Sequence, residues 1–384
     1  MRNKIFVIII MLILVIIPIG IFVRDQKEIS VAENRKLSKK EDIRVSNLNE
    51  DLEKVLQDQF LYGESLKKVY NRFKTKITNL SVNVIEKNNW MKLIPVGNNL
   101  YRIANTDYLT YRPKMVNEKK ENYLRIINNI NEKSNNHPEI KFFVYNIVND
   151  STIQDRNDYD KLIIDNLNKN IPYLSSTKIN TYDDYQKSFY KTDHHWNKNG
   201  QYDGYIDIVK LLNIENPIPI KGVKKFDDIK FFGSKDRMLG NYDIFDEFIV
   251  NEYDYPQMDI QIDLKEVEDY GEAKKFFNNE IPSQSVEENY YGDFYGWDNG
   301  IIEFKVPENS DKENLLIFSN SYSNPLNKLI ASSFKETYVV DLRNYEIELG
   351  EKFIFEDFLK THHIDNILIL GNYNYFIEDR SVIE

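Results

Sequence analysis

Asn314-Leu315-Leu316-Ile317-Phe318-Ser319-Asn320-Ser321-Tyr322-Ser323-Asn324-Pro325 sets a short apolar run against a polar, serine-rich turn that ends at a proline. A run of that length bounded by turn residues reads as a fully buried strand. The following Pro325 to Ser332 reads as a helix with proline near its start, and Thr337 to Val340 as the next strand. Strand, helix, strand in that order implies parallel pairing and a sheet covered by helices. The polar turn then falls at the carboxyl edge of the sheet, where sites in such folds gather.

The same pattern extends in both directions. Downstream, Phe353 to Thr361 reads as a helix and Ile364 to Leu370 as a strand ending at Gly371-Asn372. Upstream, Ile140 to Ile147 reads as a strand, and Asp158 to Asn168 and Gln201 to Leu212 as helices. Earlier still, Glu118 to Ile130 and Asn47 to Lys76 carry the helical period, and Trp90 to Leu109 holds short strands joined by turns. The expected fold is a three-layer α/β domain with a central, mainly parallel sheet over residues 47–384. Residues 217–285 read as an inserted β-rich accessory section.

The N-terminus reads as a membrane segment. Arg2 and Lys4 precede the apolar stretch Ile5 to Val23, whose 19 residues would span roughly 28 Å as a helix against a bilayer core of about 30 Å. Arg24-Asp25-Gln26-Lys27 follows it instead of the small residues of a cleavage site. The expectation is an anchor over 1–23, a linker over 24–46, a single pass with the main domain extracellular, and a secreted form as the alternative. The chain has no cysteine, which excludes disulfides, thiol nucleophiles and thiolate metal sites. With 50 basic and 61 acidic side chains the net charge is −11, which argues against nucleic acid as a partner.

Two of the five histidines sit in Lys191-Thr192-Asp193-His194-His195-Trp196-Asn197. A serine hydroxyl becomes nucleophilic when an imidazole takes its proton, and the imidazole needs an acid on its other nitrogen. Asp193 and His195 are two residues apart, so on an extended segment they share a side while His194 faces away. Ser321, at the far turn, is the candidate nucleophile. Its backbone N–H, with Asn324 or Asn372, would supply the oxyanion donors. Arg343 reads as a binder of anionic substrate groups or as a structural partner of Asp341. Tyr322 is a further substrate-binding candidate. Trp196 and Trp297 are candidates for stacking on a sugar, the latter within the aromatic stretch Tyr290 to Asp298, although packing explains both.

Each role has a plainer reading. A serine in such a turn is commonly a cap, His194 a structural hydrogen-bonding group, and His362-His363 a helix-end pair. Zinc held by Asp193, His194 and His195 with His362 or His363 is the metal alternative, but adjacent histidines lack the spacing of a shared helix face. No cofactor and no metal is expected.

The stretch Tyr190 to Trp196 resembles the signature of the DHHW family, related to the alginate O-acetylation proteins and to the SGNH or GDSL hydrolases. The resemblance continues in Ser319 to Asn324, similar to that family's Gly-Asp-Ser-Tyr-Ser-Asn block, in Asp341-Leu342-Arg343-Asn344-Tyr345, and in Glu33-Asn34-Arg35. It implies an exported SGNH-like domain in which Asp193 orients His195, His195 activates Ser321, and Ser321 carries an acyl group. It further implies O-acetylation or deacetylation of an exported polysaccharide, with a membrane-bound O-acyltransferase as partner. Ser319-Asn320 departs from the family's Gly-Asp, and loss of the glycine removes easy access to positive φ. A non-catalytic glycan-binding or assembly protein is the alternative function.

Overall fold

In the computed structural model the described residues are 19–24, 26–27, 29–30, 35–44, 47–60, scattered positions between 69 and 85, 92–240, 243–280 and 288–384. Most of the expected membrane segment, together with Glu33 and Asn34, lies outside them. Among the described residues no helix is long and apolar enough to cross a membrane. The chain divides into two compact units: residues 1–109, 232–245 and 285–288 form the first, and 110–231, 246–284 and 289–384 the second.

In the first unit a helix spans Leu48–Asp58, shorter than the expected 47–76, and strands Leu93–Gly97 and Leu100–Ile103 pair antiparallel. The Lys235 ammonium, fully buried, donates to the Leu109 carbonyl at 3.0 Å.

The second unit carries the large sheet. Its strands in chain order are β1 (Lys141–Ile147), β2 (Tyr173–Ser175), β3 (Gly222–Phe231), β4 (Asp246–Glu252), β5 (Asp259–Ile262), β6 (Lys265–Val267), β7 (Ile301–Lys305), β8 (Leu315–Ser319), β9 (Glu336–Val340) and β10 (Asn366–Asn372). Its main helices are α1 (Lys120–Asn136), α2 (Arg156–Asn166), α3 (Tyr182–Ser188), α4 (Lys198–Leu211), α5 (Tyr290–Tyr295), α6 (Asn327–Ala331), α7 (Leu342–Leu349) and α8 (Phe355–Thr361). The sheet order is β6-β5-β7-β9-β8-β10-β1-β2. The five strands from β9 to β2 are parallel, and β7, β5 and β6 extend the sheet antiparallel. The result is a mixed α/β fold around a mainly parallel sheet.

Every residue of β8 and of β10 is buried, as expected for parallel strands covered on both faces. Alternation along the strands sends Phe142, Val144, Leu316, Phe318, Ile367 and Ile369 into one core with α1, α2 and α8. Tyr145, Ile317 and Leu368 point to the other face, where the Tyr145 hydroxyl donates to Asp207 of α4 at 3.3 Å. The section over 217–285 is shared out. β3 and β4 form a separate antiparallel ribbon, β5 and β6 join the main sheet, and the helix Ser234–Leu239 belongs to the first unit. The ribbon closes an aromatic core of its own, Phe226, Phe231 and Phe248 packing with Phe276, Tyr290 and Phe294.

Candidate active site

Ser321 follows β8 by two residues, at the carboxyl edge of the parallel strands. The turn that holds it is built from near neighbours. Ser323 N–H donates to the Asn320 carbonyl, Leu326 and Asn327 N–H to the Ser323 carbonyl, and the Ser319 and Ser323 hydroxyls meet at 2.7 Å. Ser319 sits inside β8, and neither it nor Asn320 adopts positive φ. The glycine absent here was therefore not needed for backbone freedom, contrary to the expectation from sequence. Asn320 accepts from the Tyr322 N–H at 3.3 Å and donates to Asn372 Oδ1 at 3.1 Å, tying the turn to the end of β10.

The histidine arm is a bent loop between α3 and α4. Phe189 and Trp196 pair across its neck as an isolated antiparallel bridge, and the Asn197 side chain caps α4 by accepting from the Asn199 and Gly200 N–H groups. Trp196 is fully buried, so it is a packing residue and offers no face to a sugar. It lies against a side-chain-free stripe of α4. A Cβ on Gly204 would come within 2.6 Å of the indole, and one on Gly200 within 2.9 Å of Trp196 Cβ and 2.2 Å of the Ser188 carbonyl. The far end of the loop hangs on a buried carboxylate from the ribbon. Asp246 accepts from the Lys191 and Thr192 N–H groups at 2.8 Å each and from the Thr192 hydroxyl at 2.6 Å. Burial pushes the Asp246 carboxyl above its ordinary range, while these donors act against that shift. Nothing in the sequence marks Asp246, because its partners lie more than fifty residues upstream.

These two arms bring three side chains into line. His195 Nδ1 lies 2.7 Å from Asp193 Oδ1, which also accepts the His195 backbone N–H at 2.9 Å, and His195 Nε2 lies 2.9 Å from Ser321 Oγ. With Nδ1 protonated toward the carboxylate, Nε2 presents its lone pair to the serine hydroxyl, the tautomer a general base requires. Tyr291 stacks on the His195 ring, centroids 3.9 Å apart at 10°, and its hydroxyl reaches the Ser321 carbonyl at 3.3 Å. Sequence pointed to this tyrosine only as part of an aromatic stretch, and burial makes it a support of the imidazole.

His194 does not face away. Its ring centroid is 3.8 Å from that of His195 and its Nδ1 is 3.5 Å from Asp193 Oδ1. The loop is bent, so strand alternation does not govern it. Asp193, His194 and His195 thus bring ligand-type atoms within 4.8 Å of one another, but the hydrogen bonds to Asp193 and Ser321 engage both ring nitrogens of His195.

The remaining candidates separate. Asn324 spends its amide on the Gly296 carbonyl at 2.9 Å, facing away from an oxyanion role. Asn372 is buried, and its Oδ1 accepts from Asn320 and from the Asn374 N–H, so it braces the serine turn. Arg343 forks onto Asp341, also its α7 cap, and lies 3.7 Å from Asp298, which makes the structural pairing the observed one. Tyr322 is buried and donates to the His194 carbonyl at 2.7 Å, stitching one arm to the other. Trp297 alone is open to solvent, 45% exposed, with its Nε1 donating to Asp293 at 3.1 Å. The Ser321 N–H makes no hydrogen bond among the described residues, which leaves it available to an oxyanion.

No family model and no curated protein matches the sequence. Solved structures do. Bacillus cereus PatB1 with a sulfonyl adduct is 17% identical at a TM-score of 0.56, over 75% of this chain and 100% of that one. A DHHW family protein from Eubacterium siraeum is 15% identical at 0.55, over 76% and 96%. The O-acetyltransferase domain of Pseudomonas putida AlgJ overlays at 0.40 with 8% identity, too loosely to argue from. The chain therefore shares the fold of PatB1 and of a DHHW family protein.

Proposed function

We propose that the protein is an exported serine-dependent O-acyltransferase or esterase acting on O-acetyl groups of a cell-surface or secreted polysaccharide. The observation that carries the reading is the unbroken relay from Asp193 Oδ1 through His195 to Ser321 Oγ, with both contacts inside 3 Å. The shared fold with a protein solved as a sulfonyl adduct supports it, since sulfonyl reagents capture activated nucleophiles.

In the first half-reaction Ser321 Oγ attacks the acyl carbonyl carbon as its proton passes to His195 Nε2. Asp193 holds the imidazolium through Nδ1–H. The oxyanion forms against the Ser321 N–H, a contact type whose loss costs roughly 3 kcal/mol of transition-state stabilisation. The tetrahedral adduct collapses, the donor oxygen leaves with the proton from Nε2, and the acyl group remains on Ser321. In the second half, a sugar hydroxyl or water gives its proton to Nε2 and attacks the ester, which regenerates the serine. Transfer and hydrolysis differ only in that acceptor.

Export, a membrane anchor at the N-terminus and a membrane-bound O-acyltransferase as acyl supplier complete the proposal. The test is intact mass and peptide mapping after exposure to p-nitrophenyl acetate or phenylmethylsulfonyl fluoride. Modification confined to Ser321 and absent in Ser321→Ala supports the reading. An unmodified, folded protein across a range of pH overturns it in favour of a non-catalytic glycan-binding or assembly role.

A further inference from the structure

A cavity of about 420 Å³ opens behind the catalytic elements, lined by Tyr253, Tyr255, Tyr270, Phe277 and Tyr295 with the amides of Gln201 and Asn251. It is made from the backs of the parts that build the triad. β4 begins at Asp246, which holds the histidine loop, and ends beside Asn251. α5 presents Tyr291 to His195 and, one turn later, Tyr295 to the cavity, the two rings 5.0 Å apart. Asn324, three residues after the nucleophile, forms another part of the wall.

We propose that this cavity is a second sugar subsite, taking a neutral, hydroxyl-rich pyranose of the glycan chain other than the residue that reacts. The inference rests on the polysaccharide reading above and narrows its substrate class. Three observations carry it. Tyrosine rings supply flat apolar faces for the C–H side of a pyranose, with polar edges for its rim. Asn251 is nine-tenths buried, its amide nitrogen donates to the Lys198 carbonyl at 2.8 Å and its side chain also interacts with the Tyr253 hydroxyl by a hydrogen bond, yet no donor meets its Oδ1 in hydrogen-bonding geometry. A buried acceptor without a donor is costly, and a sugar hydroxyl supplies one where an acyl chain does not. Finally, both cations of the wall have an acid beside them, Lys274 lying 3.9 Å from Glu268, and Glu252 adds a further negative charge. Lys328 lies 2.7 Å from Asp269 and 4.5 Å from the Tyr255 ring centroid, so the cavity offers an anion no free cation of that pair.

The test is ligand-observed saturation-transfer NMR and calorimetry on the full chain with three probes: cellotetraose, chitotetraose and tetragalacturonate. Binding of at least one neutral tetrasaccharide, weakened about tenfold by Tyr255→Ala and about threefold by Asn251→Leu, with no binding of the galacturonate, is the expected result. Tyr255→Phe keeps the ring and is expected to retain affinity; if Tyr255→Ala does not fold, Asn251→Leu decides. Failure of both neutral probes to bind, binding unchanged in the substituted chains, or displacement of the sugar by a hexanoyl ester lacking hydroxyls overturns the proposal. Sulfonylation of Ser321 in the unsubstituted chain is read separately. Labelling without sugar binding sinks the subsite alone, and sugar binding without labelling sinks the catalytic reading alone.

Discussion

The serine turn and the histidine loop meet at the His195–Ser321 and Tyr322–His194 hydrogen bonds but are held in different ways. The serine turn is braced mainly by its own neighbours, through backbone bonds from residues 323, 326 and 327 and the Ser319–Ser323 hydroxyl pair. The histidine loop leans on the two glycines of the helix that follows it and also on a remote part, a carboxylate more than fifty residues downstream. Local bracing forms with its strand, whereas remote bracing exists only once the ribbon β3–β4 is in place. The precision of His195 is thus a tertiary property, and that of Ser321 is largely a property of the segment.

The largest test sets the two arms equal. Ser321→Ala and His195→Ala should each lower acyl transfer by roughly 10⁴-fold or more, and the double substitution should cost little beyond either alone, because triad members act as a unit. Additive losses in single-turnover assays would mean that the two arms work independently. Next, Gly204→Val drives side-chain atoms into the Trp196 ring. Overpacking should cost about 1–3 kcal/mol of stability and slow Ser321 acylation more than the stability loss explains, whereas Ser319→Ala in the self-braced turn should cost about 1 kcal/mol and leave acylation within a few-fold. Equal effects on acylation would erase the contrast.

Asp246→Ala removes the acceptor of three donors, and leaving buried N–H groups unpaired costs about 1–3 kcal/mol. Thermal unfolding should register that loss, while acylation by p-nitrophenyl acetate slows. The smallest effect is in pH. Because burial raises the folded-state carboxyl of Asp246, the folded form keeps its proton to higher pH than the unfolded chain does. That contribution favours the fold below the unfolded value and is lost as pH rises through the folded value. Asp246→Asn should flatten this part of the stability profile, and an unchanged slope would assign it to other groups.

Much of the parallel sheet is legible because its strands are mainly apolar runs: the expected Asn314 to Phe318, Thr337 to Val340 and Ile364 to Leu370 overlap the observed strands, the first starting one residue early and the last two. β7 was not read, since Ile301–Lys305 lies beyond that parallel block and pairs antiparallel. α7 was missed for another reason. None of its residues is fully buried, and its apolar stripe is short, Leu342, Tyr345 and Leu349 packing partly buried against the core, although Asp341 as its cap is a readable signal. Asp193, His195 and Ser321 were legible as types and spacing, while their closure was not. His194 departs from the expectation because the loop bends there, which brings its ring beside His195 and Asp193. Asp246 left no mark, since a lone acid at a strand start acquires meaning only from the loop folded onto it.

The notch that Gly200 and Gly204 cut in α4 also has an optical consequence. The chain has three tryptophans, and the one seated in that notch adjoins the His195 imidazole in sequence and is fully shielded from solvent. Its emission should be blue-shifted while the loop is docked and move to the red when the loop lifts. With Trp90 and Trp297 replaced by phenylalanine, the molecule becomes its own fluorimeter, recording in real time whether the base is seated before any substrate is added.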